Sequence, residues 1–207
     1  MTDWDERFRS GQYPQDPEPS GMLRRYVETS PGGRALDVAA GTGRNAVFLA
    51  DRGYRVDALD GSRAGLEITR KRAAERDAVD RINLVQADIP THEFPTETYD
   101  LVTISFYRAT DRLTDIKEAL ADGGVLYVEH HLRSEEPVES GPSGDRYRFA
   151  ANELLRSVLD LTVLAYREGI ETRSDGRRAA IARVLARNTT GSRQSYPAIE
   201  GSSDERG

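Results

Sequence analysis

Short apolar runs alternate with stretches of helical spacing along most of this chain. Residues 35–38 form an apolar run interrupted by one carboxylate, Asp37, and this pattern predicts a buried strand. Gly41 and Gly43 follow directly, after which residues 46–50 continue at helical spacing. The sequence therefore predicts a strand that passes through a glycine turn into a helix.

A second strand, predicted over residues 54–59, ends in Asp60. A strand, glycine turn, helix, strand and terminal acid in this order are typical of a nucleotide-binding βαβ unit. Gly41 and Gly43 lack a Cβ and can let a ligand approach the backbone, while Asp60 can accept hydrogen bonds from ribose hydroxyls. The same pattern suits NAD and flavin enzymes, but Asp37 favours a cationic ligand because a carboxylate would repel a pyrophosphate.

The remaining pattern predicts further helices and strands. Helices are predicted over residues 20–29, 62–76, 111–121 and 151–159, and strands over 82–87, 99–106, 125–130, 161–168 and 179–186. In the second of these helices Leu66, Thr69 and Ala73 should face inward, and the arginines should be solvated. A turn is predicted at residues 122–124, and residues 175–176 should join the last two strands into an antiparallel hairpin.

The chain ends and one internal segment lack this alternation. Trp4 and Phe8 are spaced i, i+4 and predict a short N-terminal helix, which can either pack on the core or cover a ligand. Residues 133–146 are polar, with several prolines and glycines, and predict a mobile loop. We expect one domain over residues 1–187, with a cap segment at 1–30 and a core at 34–187, followed by a disordered tail at 188–207.

Composition narrows the class of function. The 207 residues carry a net charge of -6 and have a pI near 5.2, which argues against nucleic acid as a partner. The chain has no apolar run as long as a membrane span and no signal-peptide stretch at its N-terminus. Without cysteine it can form no disulfide or cysteine metal site, and no acid stands at ligand spacing beside His130 and His131. We therefore expect a cytoplasmic protein without a metal site, with no membrane or nucleic-acid partner and with an undetermined oligomeric state.

Several segments resemble the motifs of a known family. Residues 36–43, LDVAAGTG, resemble the first motif of the class I S-adenosylmethionine-dependent methyltransferases. The likeness continues through Asp60 and then, in the family's order and at its spacing, through residues 86–89, 99–102 and 120–126. Within this family, the segment GRNA at residues 43–46, together with Trp4 and Gly11, is similar to the corresponding residues of the small tellurite-resistance and thiopurine-type branch. The resemblance implies an α/β, Rossmann-like fold: a seven-stranded, mostly parallel sheet in the order 3-2-1-4-5-7-6 with helices on both faces.

The resemblance also implies S-adenosylmethionine as the cofactor and indicates which residues hold it. Asp88, after the third strand, can accept a hydrogen bond from the adenine amino group, and Ile89 can pack on the ring. In the resembling branch an N-terminal segment folds over the cofactor. The candidate cofactor-binding residues are Trp4, Arg7, Tyr13, Asp37, Ala39, Gly41, Thr42, Gly43, Asn45, Asp60, Gly61, Ser62, Ala87, Asp88, Ile89 and Ser105.

The methyl acceptor should lie beyond the end of the fourth strand, because ligands of open α/β sheets bind at the carboxyl ends of the strands. The candidate acceptor-binding residues there and in the polar loop are Tyr107, Arg108, Arg146 and Arg148. The Asn/Asp-Pro-Pro-aromatic motif common in nucleic-acid and protein-amide methyltransferases is absent. Together with the arginines, this absence predicts a small acceptor that is neutral or anionic.

A base is needed only if the acceptor carries a proton at the working pH, and the candidates are Tyr107, His130 and His131. The predicted function is methyl transfer from S-adenosylmethionine to a small molecule. Two alternatives stay open. One is a non-catalytic S-adenosylmethionine-binding regulatory protein, and the other is an NAD-linked oxidoreductase, which Asp37 and the terminal hairpin disfavour.

Overall fold

Strands and helices alternate along the chain in a computed structural model that describes residues 4–11, 17–173, 175–189, 193–194 and 196. The strands are β1 (Arg34–Val38), β2 (Arg55–Asp60), β3 (Ile82–Gln86), β4 (Tyr99–Ser105), β5 (Leu120–His131), β6 (Thr162–Thr172) and β7 (Arg178–Arg187). The helices are α1 (Trp4–Arg9), α2 (Gly21–Thr29), α3 (Arg44–Asp51), α4 (Arg63–Ala74), α5 (Leu113–Glu118) and α6 (Glu153–Arg156).

Hydrogen bonding joins these strands into one sheet in the order β3-β2-β1-β4-β5-β7-β6. β1 pairs in parallel with both β2 and β4, so the direction of winding reverses between β1 and β4. β7 runs antiparallel to β5 and β6. The predicted fold class, strand order and terminal hairpin are confirmed. The carboxyl ends of β1 and β4 therefore border a crevice of the kind in which open α/β sheets bind ligands.

Side chains of the central strand β1 alternate between two buried clusters. Leu36 and Val38 belong to one cluster, which also contains residues of α5 and α6. Ala35 belongs to the other, together with Leu23 of α2 and Leu49 of α3. A parallel strand covered by helices on both faces reads as a continuous apolar run, which is why this strand was recognisable in the sequence.

The start of β5 differs from the prediction. Residues 122–124, predicted as a turn, lie inside β5, where the register with β4 shifts between Tyr99 and Leu101. Asn188 pairs with this irregular segment, donating to the Gly124 carbonyl and accepting from the Gly123 N–H. The prediction of a disordered tail is therefore wrong at Asn188, because its backbone completes the hydrogen bonding of the bulged strand. Most of the remaining tail lies outside the described residues.

Two helices are shorter than predicted. α6 covers Glu153–Arg156 instead of residues 151–159, because Asn152 takes a left-handed conformation with a φ of 60° just before it. α5 begins at Leu113, after one turn of 3-10 helix at residues 110–112. Among the described residues, no helix combines the length and apolar character that crossing a bilayer requires.

Candidate functional site

A tight turn over residues 39–43, called here the glycine turn, connects β1 to α3 at the carboxyl edge of the sheet. Ala39, Gly41 and Gly43 all take left-handed conformations, with φ of 57°, 55° and 78°. Glycine adopts this conformation freely, whereas an alanine there costs about 1–2 kcal/mol. The backbone strain at Ala39 therefore lies at the predicted ligand site, where strained residues tend to occur.

The glycines of the turn make room chiefly for other parts of the protein. A Cβ on Gly43 would lie 2.6 Å from the Thr69 side chain of α4, and a Cβ on Gly65 would lie 2.7 Å from the Gly41 carbonyl oxygen. A Cβ on Gly41 would meet the Phe8 ring at 3.3 Å. At Gly43 the expectation of close ligand approach is therefore corrected: the missing Cβ allows α4 to pack against the turn.

Arg72 of α4 is buried against this turn, which corrects the expectation that the arginines of α4 are solvated. Its side chain donates from Nη1 to the Thr42 carbonyl at 2.7 Å, and the residue is only 6% exposed. A buried carbonyl needs a donor, and the helical spacing of α4 gave no indication that an arginine would supply it.

Asp37 is buried beneath the turn and holds the start of α3. Its carboxylate accepts from the Ala46 N–H at 3.0 Å and from the Thr103 hydroxyl at 2.7 Å. Burial raises the pKa of Asp37 to about 6, against the lowering effect of these hydrogen bonds. With 2% exposure, Asp37 can influence a cationic ligand by its charge and by orienting the turn, but it has almost no surface for direct contact.

Asn45 connects the turn to the end of β4. Its Nδ2 donates to Ser105 Oγ at 3.0 Å and lies 3.4 Å from Asp37 Oδ1. Its Oδ1 is buried and has no hydrogen-bond partner among the described residues. A buried hydrogen-bond acceptor without a donor, such as Asn45 Oδ1, is unusual in native proteins.

Asp60 stands at the end of β2 beside the turn, as predicted. One carboxylate oxygen accepts from the Gly41 N–H and the other from the Ser62 N–H, each at 2.7 Å. Burial raises the pKa of Asp60, although both backbone hydrogen bonds act in the opposite direction. Each oxygen accepts only one of these bonds, so lone pairs remain for ribose hydroxyls.

The end of β3 approaches the same acid. The Ala87 N–H donates to the Asp60 carbonyl at 3.2 Å, and Asp88 next along the chain is exposed. Ile89 is 5% exposed and packs within the cluster on the Leu36 face. The fold thus brings together the predicted cofactor residues that follow β1, β2, β3 and β4: Asp37, Ala39, Gly41, Thr42, Gly43, Asn45, Asp60, Gly61, Ser62, Ala87, Asp88, Ile89 and Ser105.

The N-terminal helix α1 packs on α4 and the glycine turn. The residues that make these contacts, Asp5 and Phe8, were not among the predicted cofactor-binding residues. Asp5 accepts from the Ala64 N–H at 3.1 Å and from the Ser62 hydroxyl, and Phe8 is 8% exposed. Trp4 is 46% exposed, with the Arg7 guanidinium stacked on its ring, so both predicted cofactor residues lie on the outer side of α1. Tyr13, the third, lies outside the described residues.

An aromatic ring marks the acceptor end of the crevice. Phe106 follows β4 with a φ of 58°, a rare conformation for a bulky residue, and its N–H donates to the Glu129 carbonyl at 2.8 Å. Its ring centroid lies 4.7 Å from that of His131, 5.1 Å from Arg44 Cζ and 5.3 Å from Arg173 Cζ. Cationic and aromatic groups of α3, of β5 and of the residues that directly follow β4 and β6 therefore meet at one ring.

A buried ion network supports this end. Glu129, 1% exposed, accepts from Arg44 at 2.5 Å and from Arg183 at 2.7 Å, and Arg183 also pairs with Glu171 at 2.6 Å. Burial alone would raise the pKa of Glu129, but the two guanidinium groups outweigh it and lower that pKa. None of these four residues was predicted. The available signal was a carboxylate inside the apolar run of β5.

The three candidate bases are poorly suited to accept a proton. Burial and the carboxylates of Asp88 and Asp111 raise the pKa of Tyr107, so it remains a neutral phenol. Burial lowers the pKa of His130 and brings that of His131 to about 3. His131 Nδ1 is also buried without a partner among the described residues.

Two of the three arginines predicted to bind the acceptor, Arg108 and Arg148, make hydrogen bonds that hold the loop after β5. Arg108 pairs with Glu153 and donates to the Arg146 carbonyl at 2.8 Å, and Arg148 donates to the Leu132 carbonyl at 3.0 Å. Arg146 is exposed and stacks on the neighbouring Tyr147 ring. Arg108 and Arg148 therefore direct their guanidinium groups mainly at backbone carbonyls, which the sequence gave no means of foreseeing, whereas Arg146 donates to the Tyr147 hydroxyl at 2.6 Å.

Known proteins share both sequence and fold with this chain. Residues 35–124 match a family profile described as a methyltransferase domain. The chain is 42% identical over 109 residues to the demethylmenaquinone methyltransferase of Clavibacter sepedonicus, covering 50% of this chain and 43% of that protein. It is 37% identical over 122 residues to the protein of the same name from Renibacterium salmoninarum, covering 52% and 48%. The chain thus spans about half the length of these curated relatives.

Solved structures share the fold at lower identity. TehB from Haemophilus influenzae superposes with a TM-score of 0.72 and 21% identity, covering 89% of this chain and 67% of that one. The cyclase SpnF superposes with a TM-score of 0.66 and 19% identity, covering 82% and 81%. At this identity the likeness to TehB is one of fold alone. The cyclase shows that this fold also supports other reactions.

The residues at the crevice fit S-adenosylmethionine. Asp60 keeps lone pairs for ribose hydroxyls, Asn45 Oδ1 lacks a donor, and Ala39 and Ser105 are partly exposed at the ends of β1 and β4. These features coincide with the matched methyltransferase profile and with the sheet order 3-2-1-4-5-7-6. Over residues 35–124 the chain is thus similar to a methyltransferase domain, and its sheet has the strand order expected for a class I S-adenosylmethionine-dependent methyltransferase.

Proposed function

We propose that this protein transfers a methyl group from S-adenosylmethionine to a small-molecule acceptor. The observation that carries the proposal is the position of Asp60, fixed by the Gly41 and Ser62 N–H groups beside the glycine turn. This geometry suits an adenosine ribose, while Ser105 and Phe106 at the end of β4 lie on the path toward an acceptor.

Positioning and exclusion of water supply the catalysis in this proposal. S-adenosylmethionine, when bound, supplies an electrophilic methyl group that reacts by in-line displacement. Asp60 and the glycine turn orient the nucleoside, and the wall around Phe106 limits the approach of the acceptor. Such alignment of reacting atoms can account for about 7–11 kcal/mol of the barrier, so neither a metal nor a covalent nucleophile is required.

The acceptor in this proposal is nucleophilic when it enters the site. Tyr107 has a raised pKa and His131 a pKa of about 3, so neither is an effective proton acceptor near neutral pH. A thiolate, an ionised phenol or enol, or a chalcogen oxyanion would meet this requirement. Because the name of the two relatives refers to demethylmenaquinone, a reduced quinone is also a rational test compound.

The class of acceptor, the extent of the domain and the location in the cell are inferred from the sequence. The net charge of -6 supports an acceptor other than nucleic acid. We also propose that residues 1–187 act as one methyltransferase domain and that the protein works in the cytoplasm. The backbone hydrogen bonds of Asn188 to Gly123 and Gly124 support placing this residue with the proposed domain.

The test is methyl transfer from isotopically labelled cofactor to candidate acceptors. The panel contains reduced quinones, phenols, thiols, chalcogen oxyanions and carboxylates, with total RNA, DNA and denatured protein offered separately. We expect label in one small-molecule class, and formation of S-adenosylhomocysteine that Asp60→Ala strongly reduces at the same cofactor concentration. Label only in a macromolecule would contradict the small-molecule acceptor. Tight cofactor binding without turnover on any acceptor would favour the non-catalytic alternative.

A further inference from the structure

We propose that Arg44 binds the carboxylate at the methionine end of S-adenosylmethionine; this inference rests on the proposed cofactor. Arg44 is the first residue of α3 and follows Gly43 of the glycine turn directly. It lies within the GRNA segment at residues 43–46 but was not among the predicted cofactor-binding residues. Its position next to the turn and its partly exposed side chain make it accessible from the crevice.

The guanidinium of Arg44 is held in place before any ligand arrives. Its Nη2 donates to Glu129 Oε2 at 2.5 Å, and its Cζ lies 5.1 Å from the Phe106 ring centroid. Glu129 is in turn fixed by Arg183, whose Nη2 donates to the other carboxylate oxygen at 2.7 Å. A cation whose rotamer is already set loses little conformational freedom on binding a ligand.

Most of the hydrogen-bonding capacity of Arg44 remains available. A guanidinium has five N–H donors, and the bond to Glu129 is the one hydrogen bond that Arg44 makes to a described residue. The side chain is 14% exposed, so it is not sealed within the core. A planar fork with free donors matches a carboxylate, which can accept two parallel hydrogen bonds.

The other charges around the turn cannot serve this carboxylate. Asp37 and Asp60 are acids and suit the ammonium and sulfonium groups instead. Arg72 is cationic, but it is 6% exposed and its Nη1 donates to the Thr42 carbonyl. Of Arg44 and Arg72, the two arginines that reach the turn from α3 and α4, Arg44 is therefore the one with both exposed surface and unused donors.

The neighbouring residue, Asn45, has no comparable access to a ligand. Its Oδ1 lacks a hydrogen-bond partner within the described residues, but the residue is 2% exposed and, like Asp37, has almost no surface for direct contact. The geometry thus points to Arg44 alone as the residue that recognises the carboxylate of the cofactor.

The experiment compares two ligands that differ only at the carboxylate. Calorimetric titration gives the Kd of S-adenosylmethionine and of decarboxylated S-adenosylmethionine for the full chain and for Arg44→Gln, Arg44→Lys and Arg52→Gln. Arg52 is the matched control, since it follows the same helix, pairs with Asp51 and stacks 5.2 Å from the Phe48 ring at the far end. Circular dichroism and thermal melts establish that each variant is folded.

We expect the unmodified protein to prefer S-adenosylmethionine by about 10- to 100-fold, the range for charge-assisted hydrogen bonds. Arg44→Gln should lose most of this preference by weakening only the carboxylate-bearing ligand, Arg44→Lys should keep part of it, and Arg52→Gln should keep all of it. Equal weakening of both ligands by Arg44→Gln, or no preference in the unmodified protein, would overturn the assignment. If Arg44→Gln does not fold, an unchanged preference in Arg44→Lys counts against it. Failure of the unmodified protein to bind either ligand would instead contradict the proposed cofactor.

Discussion

At the scale of single residues, acids in similar sequence positions have different physical roles. Asp37 and Asp60 lie at or near the carboxyl ends of neighbouring parallel strands. Asp37 is 2% exposed and fixes the start of α3, whereas Asp60 is 9% exposed and borders the crevice. Their mutants should therefore affect different measured quantities, one the folding free energy and the other the affinity for the cofactor.

Asp60→Ala should weaken S-adenosylmethionine binding by about 2–4 kcal/mol, because two hydrogen bonds from the ribose to a carboxylate are lost together. Calorimetric titration of the folded variant measures the change. Asp57→Asn is the control: Asp57 lies on the same strand but accepts from Asn83 and Tyr99. An unaltered affinity in Asp60→Ala would mean that other residues hold the ribose.

Asp37 should make the folding free energy depend on pH in a direction opposite to that of a salt-bridged acid. Its folded pKa of about 6 lies above the ordinary 3.8, so the folded protein binds this proton more tightly than the unfolded chain. The stabilising contribution is present below about pH 4 and is lost as the pH rises to 6. The loss is roughly 3 kcal/mol by linkage.

Asp37→Asn removes this titration, so its stability relative to the unmodified protein should rise by roughly 3 kcal/mol between pH 4 and pH 7. Denaturant unfolding at a series of pH values measures the difference, in which other titrating groups cancel. Parallel stability profiles for the two proteins would show that the Asp37 carboxyl is not perturbed in this way.

At the scale of elements, α1 is attached to the rest of the fold by one face. Phe8 lies against Gly41 and Gly65, and Asp5 bonds to the first turn of α4. Trp4 extends the same helix but is exposed. The helix has six residues, too few to be stable in isolation, so its order depends on this packing.

Phe8→Ala should lower the free energy needed to detach α1 from the rest of the fold by about 2–4 kcal/mol, because the buried ring is lost. Trp4→Ala should change this opening free energy little. Amide hydrogen exchange across residues 4–11 measures the local opening, and denaturant unfolding measures the global stability. If the exchange protection of this segment were lost to the same extent in both variants, Phe8 would not be the residue that anchors the helix.

At the scale of the whole molecule, ligand binding to the folded state should raise the melting temperature. At a ligand concentration of 100 Kd the expected stabilisation is about 2.7 kcal/mol, which corresponds to roughly 5–10 °C for a chain of this length. S-adenosylmethionine and S-adenosylhomocysteine should both produce the shift, and NAD should not. A shift with NAD alone would contradict the cofactor assignment and favour the oxidoreductase alternative.

The agreement between prediction and structure is greatest where physical constraints are local in sequence. The apolar run of β1 and the left-handed positions at Gly41 and Gly43 each depend on a few consecutive residues, as does the terminal acid Asp60. Agreement is poorest for long polar side chains. Arg72, Arg108 and Arg148 were expected in solvent or beside the acceptor, but each donates to backbone carbonyls distant in the chain.

The sequence by itself determined β1, the glycine turn and the acid that ends β2, because periodicity and turn geometry are properties of a few consecutive residues, and its resemblance to a known family implied the strand order that the sheet has. Only the tertiary structure decided which face of α1 meets the glycine turn, and that Arg44, Glu129 and Arg183 form one ion network. The reason is that an arginine side chain is long and has many rotamers, so it can reach several different partners. Which partner it binds depends on the carbonyl and carboxylate groups that are buried near it, without another donor, once the chain has folded.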